Sequence, residues 1–138
     1  PTLPAPLTVT GDVRVTLYVS SDAPDTDFMV RLCDVDEAGR SVKLADGILA
    51  ARFRNGFSAP EYLEPGKVEK LVIRTSKISH CFLPGHRLRV SVTSGAKHFV
   101  FPNSNTKDAY NSTESRVAHN TVWHGGAAPS HILLHVER

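Results

Sequence analysis

The sequence predicts an all-β domain, and three observations carry that prediction. Apolar and polar residues alternate with a period of two along much of the chain, the pattern of strands with one buried face. No window combines helical periodicity with capping residues, and the nine glycines and nine prolines fall mainly between the strand candidates. Roughly seven or eight such segments, separated by turn signals, suit two antiparallel sheets face to face or a jelly roll that shields its edges by wrapping. Periodicity alone does not separate a jelly roll from an immunoglobulin-like sandwich, although the missing Cys…Trp…Cys spacing speaks mildly against the latter.

Taken in order, Pro1, Pro4 and Pro6 interleave with Thr2, Leu3 and Ala5, the composition of an extended interdomain linker over residues 1–6. A single domain is expected over residues 7–138. Val13, Val15, Leu17 and Val19 point one way, with Asp12, Arg14 and Thr16 the other. After the turn Ser20-Ser21-Asp22-Ala23-Pro24-Asp25-Thr26-Asp27, a second face is formed by Phe28, Val30 and Leu32 against Met29 and Arg31. Glu37-Ala38-Gly39-Arg40 reads as a hairpin turn whose return strand, through Val42 and Leu44, ends near Gly47. Further strands are expected over 48–53, 68–75, 88–93, 117–123 and 132–136. The segment 97–115, rich in Asn, Ser, Thr and Lys, reads as a long surface loop.

Composition narrows the function classes. A chain of 138 residues suits one domain, and a domain of that size buries roughly two thirds of its unfolded surface without needing metal or disulfide. Hydrophobic content of 41% and charged content of 22% belong to neither a disordered nor a membrane chain. No apolar run approaches the ~20 residues that span a bilayer. The net charge is +2, and its basic residues are dispersed, whereas nucleic-acid binding calls for a concentrated basic face. Cys33 and Cys81 lack CxxC spacing and read as two free, mostly buried thiols rather than a disulfide; a cytoplasmic setting is preferred. The chain opens at Pro1 with neither methionine nor a signal-peptide pattern, which suggests a processed or excised piece.

Two segments concentrate polar chemistry: the acidic turn with Asp22, Asp25 and Asp27, and Pro84-Gly85-His86-Arg87-Leu88-Arg89. Aspartates at strand ends accept backbone amides in turns, and Asp25 or Asp27 is expected to pair with Arg87 or Arg89, whose forked guanidinium matches a carboxylate. At least one carboxylate oxygen of the turn should lie within about 4 Å of Arg52, Arg87 or Arg89. Calcium is the weaker reading, since the turn lacks the glycine and distal glutamate of an EF-hand loop and carries Pro24 in its middle. His131 and His135 have the spacing of a helical zinc site, but on a strand they stand roughly 13 Å apart; His119 and His124 face opposite sides. No metal site is expected. No GxSxG elbow occurs either, so no catalytic residue is assigned. Trp123, Tyr18, Tyr62 and Tyr110 could form a sugar platform, but one tryptophan favours core or interdomain packing. Asn111-Ser112-Thr113 is a glycosylation sequon with nothing beside it to indicate a secretory route.

Ser20 to Phe28 (SSDAPDTDF), Gly85 to Arg89 (GHRLR), the Pro65-Gly66 turn, Leu32-Cys33-Asp34-Val35, Asp46-Gly47-Ile48-Leu49 and Asn105-Thr106 together resemble the C-terminal domain of the cocaine esterase and X-Pro dipeptidyl aminopeptidase family of serine hydrolases. The resemblance runs from about Leu7 to Val136. It implies a galactose-binding-like jelly roll, no cofactor, and a Ser-His-Asp triad that belongs to a preceding α/β-hydrolase domain. It also implies that this domain packs on that catalytic domain of the same parent chain, helps wall the active-site region and contributes to subunit contacts in a homo-oligomer. X-Pro peptides, small esters and acylated amino compounds are the implied substrates. Phe101 to Thr106 is abbreviated relative to the family, which weakens any contact carried over through that loop. Phe99, Phe101, Tyr110 and Trp123 are the candidates for the covered face. The alternative is a free-standing carbohydrate-binding jelly-roll module.

Overall fold

The computed structural model describes residues 1–137, which form nine antiparallel strands, with one 3-10 turn after the fourth and another after the seventh: β1 Leu7–Gly11, β2 Arg14–Ser21, β3 Asp27–Val35, β4 Ser41–Ala50, β5 Glu69–Arg74, β6 Ile78–Phe82, β7 Arg87–Thr93, β8 Asn120–Trp123 and β9 His131–Leu133. The all-β expectation holds. β4, β3 and β7 form one layer in that order. In the other, β2 pairs along one side with β5 and along its other side with β9 near Arg14 and β8 near Tyr18. β1 pairs with β6, and the chain beyond β9 joins this ribbon to the larger layer: Thr10 N donates to His135 O at 3.0 Å and Glu137 N to Thr8 O at 3.0 Å.

The core follows from the pleat. Val15, Leu17 and Val19 of β2 meet Phe28 and Val30 of β3, with Leu71 and Ile73 of β5 beside them. A second cluster gathers Val9, Val13, Leu32, Ala45 and Phe82, with Leu3 and Leu88 packed against it. β3 departs from alternation because both of its faces are covered, and Met29 and Cys33 are as buried as Val30. The irregular segment after β7 lies over the outer face, where Lys43 Nζ stands 5.5 Å from the Phe99 ring.

The two lateral edges of the sandwich differ. On the β4 side the layers meet: a Cβ at Gly47 would come within 2.5 Å of Arg74 O, and Ser76 N donates to Asp46 O at 3.3 Å. On the other side, β7 pairs only with β3 among the described residues.

Several expected boundaries move. β1 lies outside every expected strand, and so does β6. β4 continues through Gly47 to Ala50, after which 51–53 is a 3-10 turn and not strand. The strand expected from 117 begins at Asn120, where pairing with Ser21 starts, and Val117 is exposed. Cys81 is exposed while Cys33 is buried, because on β6 only Phe82 and the partly covered Ile78 and His80 turn inward.

Candidate functional site

The acidic turn folds inward at the start of β3. Asp25 and Asp27 are both buried. Arg52, placed by the 3-10 turn that follows β4, donates its backbone N–H to Asp25 Oδ1 at 2.9 Å and its Nε to Asp25 Oδ2 at 2.8 Å. Its Nη2 donates to Thr106 O at 3.2 Å, and its guanidinium lies 5.4 Å from the Tyr62 ring. Asn103 then bridges the two acids: Nδ2 donates to Asp25 Oδ2 at 2.7 Å and to Asp27 Oδ1 at 2.8 Å. Its Oδ1 accepts the backbone N–H of Asn105 at 2.9 Å, which supports the left-handed conformation there (φ 61°). Tyr110 Oη completes the set, 2.9 Å from Asp27 Oδ2.

Two carboxylates thus share one cation. Burial pushes the Asp27 carboxyl above its usual range, against the opposing hydrogen bonds of Asn103 and Tyr110. Burial, reinforced by the Asp27 carboxylate, likewise raises the Tyr110 phenol. Asp22 stands apart and half-buried; its Oδ1 accepts His119 N at 2.9 Å, which lowers its pKa, and its Oδ2 lies 3.6 Å from Arg116.

The pairing expected from Arg87 or Arg89 does not occur. Register explains why: on β7 these residues lie opposite Val35 and Cys33, at the far end of β3, about 26 and 20 Å from Asp27 at ~3.3 Å per residue. They project exposed from the outer face, without a salt bridge among the described residues. The turn before them has another partner. Asp34 Oδ1 meets His86 Nδ1 at 2.8 Å and Asp34 Oδ2 meets His80 Nε2 at 2.9 Å, so this carboxylate joins β3, β6 and the β6–β7 turn. Leu3 docks on the same turn, its N donating to His86 O at 2.8 Å and its O accepting Gly85 N at 2.9 Å.

The loop held by Asp25 and Asp27 raises an aromatic ridge. Phe101 is 85% exposed, Phe99 58% and Tyr110 50%, and the three line one shallow depression with Ile48, Val100 and Asp27. Trp123 is not part of it; on β8 it lies opposite Tyr18, its Nε1 donating to Ser20 Oγ at 3.1 Å. Tyr62 is engaged by Arg52 and by Lys107, whose Nζ lies 5.3 Å from its ring. Of the four aromatics weighed for a sugar platform, Tyr18 and Trp123 are cross-strand neighbours, while Tyr62 and Tyr110 stand apart from them.

Residues 1–133 match the family described as the X-Pro dipeptidyl-peptidase C-terminal non-catalytic domain. The chain belongs to that family. Among curated relatives, cocaine esterase of Rhodococcus sp. (strain MB1 Bresler) is 39% identical over 132 residues, 94% of this chain and 23% of the esterase. Among solved structures, an aminopeptidase from the marine sediment archaeon Thaumarchaeota archaeon superposes with a TM-score of 0.94 at 28% identity, over 100% of this chain and 25% of that one. An α-amino acid ester hydrolase gives a TM-score of 0.94 at 26% identity, over 99% of this chain and 24% of that one. The chain therefore spans about a quarter of the length of these relatives. In a family defined by a non-catalytic domain, Asp25, Asp27, Arg52, Asn103 and Tyr110 are read as a support for the surface above them.

Proposed function

We propose that this domain is the C-terminal, non-catalytic part of a longer serine hydrolase that cleaves amide or ester bonds, and that it docks on the catalytic domain through the Phe99–Phe101–Tyr110 ridge. X-Pro peptides, small esters and α-amino acid esters are the substrate classes the relatives suggest for the parent enzyme. The ridge carries the proposal: three large aromatic side chains, half exposed or more, stand on a loop hydrogen-bonded to buried carboxylates. A mobile loop with chance exposure would lack such anchoring, whereas aromatic clusters of this kind are the usual anchors of interfaces. Seated against the catalytic domain, the ridge would form part of the wall around its active site.

The test uses the full-length hydrolase carrying Phe101→Asp with Phe99→Ser. Loss of such anchors costs about 2 kcal/mol, so calorimetry should resolve a single coupled unfolding transition into two, with kcat/KM for an ester substrate reduced. Phe57→Ser, at a phenylalanine that is equally bare (80% exposed) but lies outside the ridge, should change neither. Unaltered coupling and unaltered kcat/KM in the double variant would remove the ridge from the interface.

A further inference from the structure

We propose that in the longer polypeptide the residues immediately preceding Pro1 run antiparallel beside β7, adding a fourth strand to the β4-β3-β7 layer and closing the open edge of the sandwich. This rests on the reading that the chain is part of a larger hydrolase.

β7 has the features of a strand awaiting a neighbour. Its backbone pairs with β3 along one side from Arg87 to Thr93 and with nothing on the other among the described residues. Unpaired edges of this kind are templates for strand addition. Its inward row is also uncovered: Val90 is 36% exposed and Val92 38%, although their partners on β3, Leu32 and Val30, are fully buried. These two valines face Val15, Leu17, Val122 and Ile132 across a cleft of about 480 Å³ between the layers. At the opposite edge Gly47 brings the layers into backbone contact and leaves a smaller depression of about 320 Å³ beside Val72 and Ile73. A strand beside β7 with apolar residues at alternate positions would fill the cleft with one face and satisfy the free edge with its backbone.

The path of the N-terminal segment identifies the occupant. β1 and β6 pair from Gly11↔Ile78 to Leu7↔Phe82, each step back on one strand matching a step forward on the other. Leu3 keeps this course: it is hydrogen-bonded to Gly85 and His86, and its side chain packs in the cluster that contains Leu88, the first inward residue of β7. One more step along the same course carries the chain at Pro1 to the beginning of β7, and earlier residues to its open side. A second copy is the poorer occupant, because antiparallel β7–β7 pairing would crowd Arg87 and Arg89 of both copies onto one face. A tethered segment also binds at far higher effective concentration than a free one.

Disulfide mapping in the full-length protein tests the proposal. In a Cys33→Ala, Cys81→Ala background, Val90→Cys or Val92→Cys is combined with single cysteines placed one at a time along the residues before Pro1. Neighbouring strands bring Cα atoms within the roughly 4.4–6.8 Å a disulfide requires. Intramolecular cross-links are expected, with the best partner of Val92→Cys lying further upstream than that of Val90→Cys. The reverse order, links only between two molecules, or no link at any upstream position would each overturn the proposal. Should the valine variants fail to fold, hydrogen exchange on the unaltered full-length protein decides: amides of residues 88–93 are all expected to exchange slowly, and fast exchange at alternate positions would overturn it. Ester hydrolysis and calorimetric coupling of the same protein, reduced, report separately on the parent-hydrolase reading.

Discussion

The two ends of β3 solve the same problem with different chemistry. Each buries acid: Asp25 and Asp27 at the start, Asp34 near the finish. At the start, two carboxylates are held by one guanidinium, one amide and one phenol. At the finish, one carboxylate is held by two imidazoles, which can donate in either neutral or charged form. The first end gathers two carboxylates around a single cation; the second sets one carboxylate between two ring nitrogens. The first anchors a loop that presents the aromatic ridge, and the second anchors the turn on which the N-terminal segment rests.

The sharpest way to break the comparison is to remove the cation. Arg52→Met should cost about 3 to 5 kcal/mol, because it leaves Asp25 buried without its charge partner, whereas Arg87→Ala and Arg89→Ala, exposed and unpaired, should each stay within about 0.5 kcal/mol. Urea unfolding of the three variants checks this, and an Arg52→Met loss below about 1 kcal/mol would contradict the dependence on a single cation.

At the other end, Asp34→Ala removes two hydrogen bonds to a charged acceptor and should cost about 2 kcal/mol. Its signature is local: hydrogen exchange should accelerate at Gly85 and Leu3 while the amides near Arg52 remain protected. Equal acceleration at both ends would mean that the clusters are not independent.

The smallest effects concern pH. Asp27 has a raised pKa in the folded state, so the fold holds its proton more tightly than the unfolded chain does, and stability falls as pH climbs from the ordinary carboxylate range of about 4 through the folded value. Asp27→Asn should flatten that decline. Tyr110 is raised as well, so its contribution is complete below about pH 10 and is lost as pH climbs beyond that; Tyr110→Phe should give up about 1 kcal/mol at neutral pH and lose less in alkali. Melting curves across pH for both variants decide, and parallel profiles for Tyr110→Phe and the parent would show that the phenol is not part of the cluster.

The sequence made β2 legible because Val13 to Val19 alternate without interruption over a full strand length, and β3 because Phe28, Val30 and Leu32 recur at every second position despite the apolar Met29 between the first two. β6 was hidden for a physical reason: the inward position in its middle is His80, which faces Asp34 and not the apolar core, so no alternating apolar row exists to be read. β1 offers only Leu7 and Val9, next to a proline-rich run. At the site, the carboxylates of the acidic turn stood out and the presence of an arginine partner was foreseeable, but which arginine was not. Arg87 and Arg89 advertised themselves by clustering, while Arg52 is brought to Asp25 by the turn after β4. Asn103 and Tyr110 carry no charge at neutral pH, and a neutral donor from a distant loop leaves no compositional mark. The departure of β3 from alternation was also out of reach, because it depends on the later segment that folds over its outer face.

Asn103 commits both of its amide hydrogens to the buried acids and its oxygen to the chain two residues on. The loop of an unbound domain is thereby fixed before any encounter, and its aromatic rings need little loss of conformational entropy to be received by a neighbour. Ordering a flexible loop and its side chains commonly diminishes affinity by about 0.5 to 1.5 kcal/mol for each immobilised side chain. In the proposed docking that penalty would fall at folding instead. Two Asn103 variants should therefore weaken domain assembly out of proportion to the contacts Asn103 itself makes: Asn103→Ala, which empties the bridge, and Asn103→Asp, which sets a third carboxylate against the two already buried.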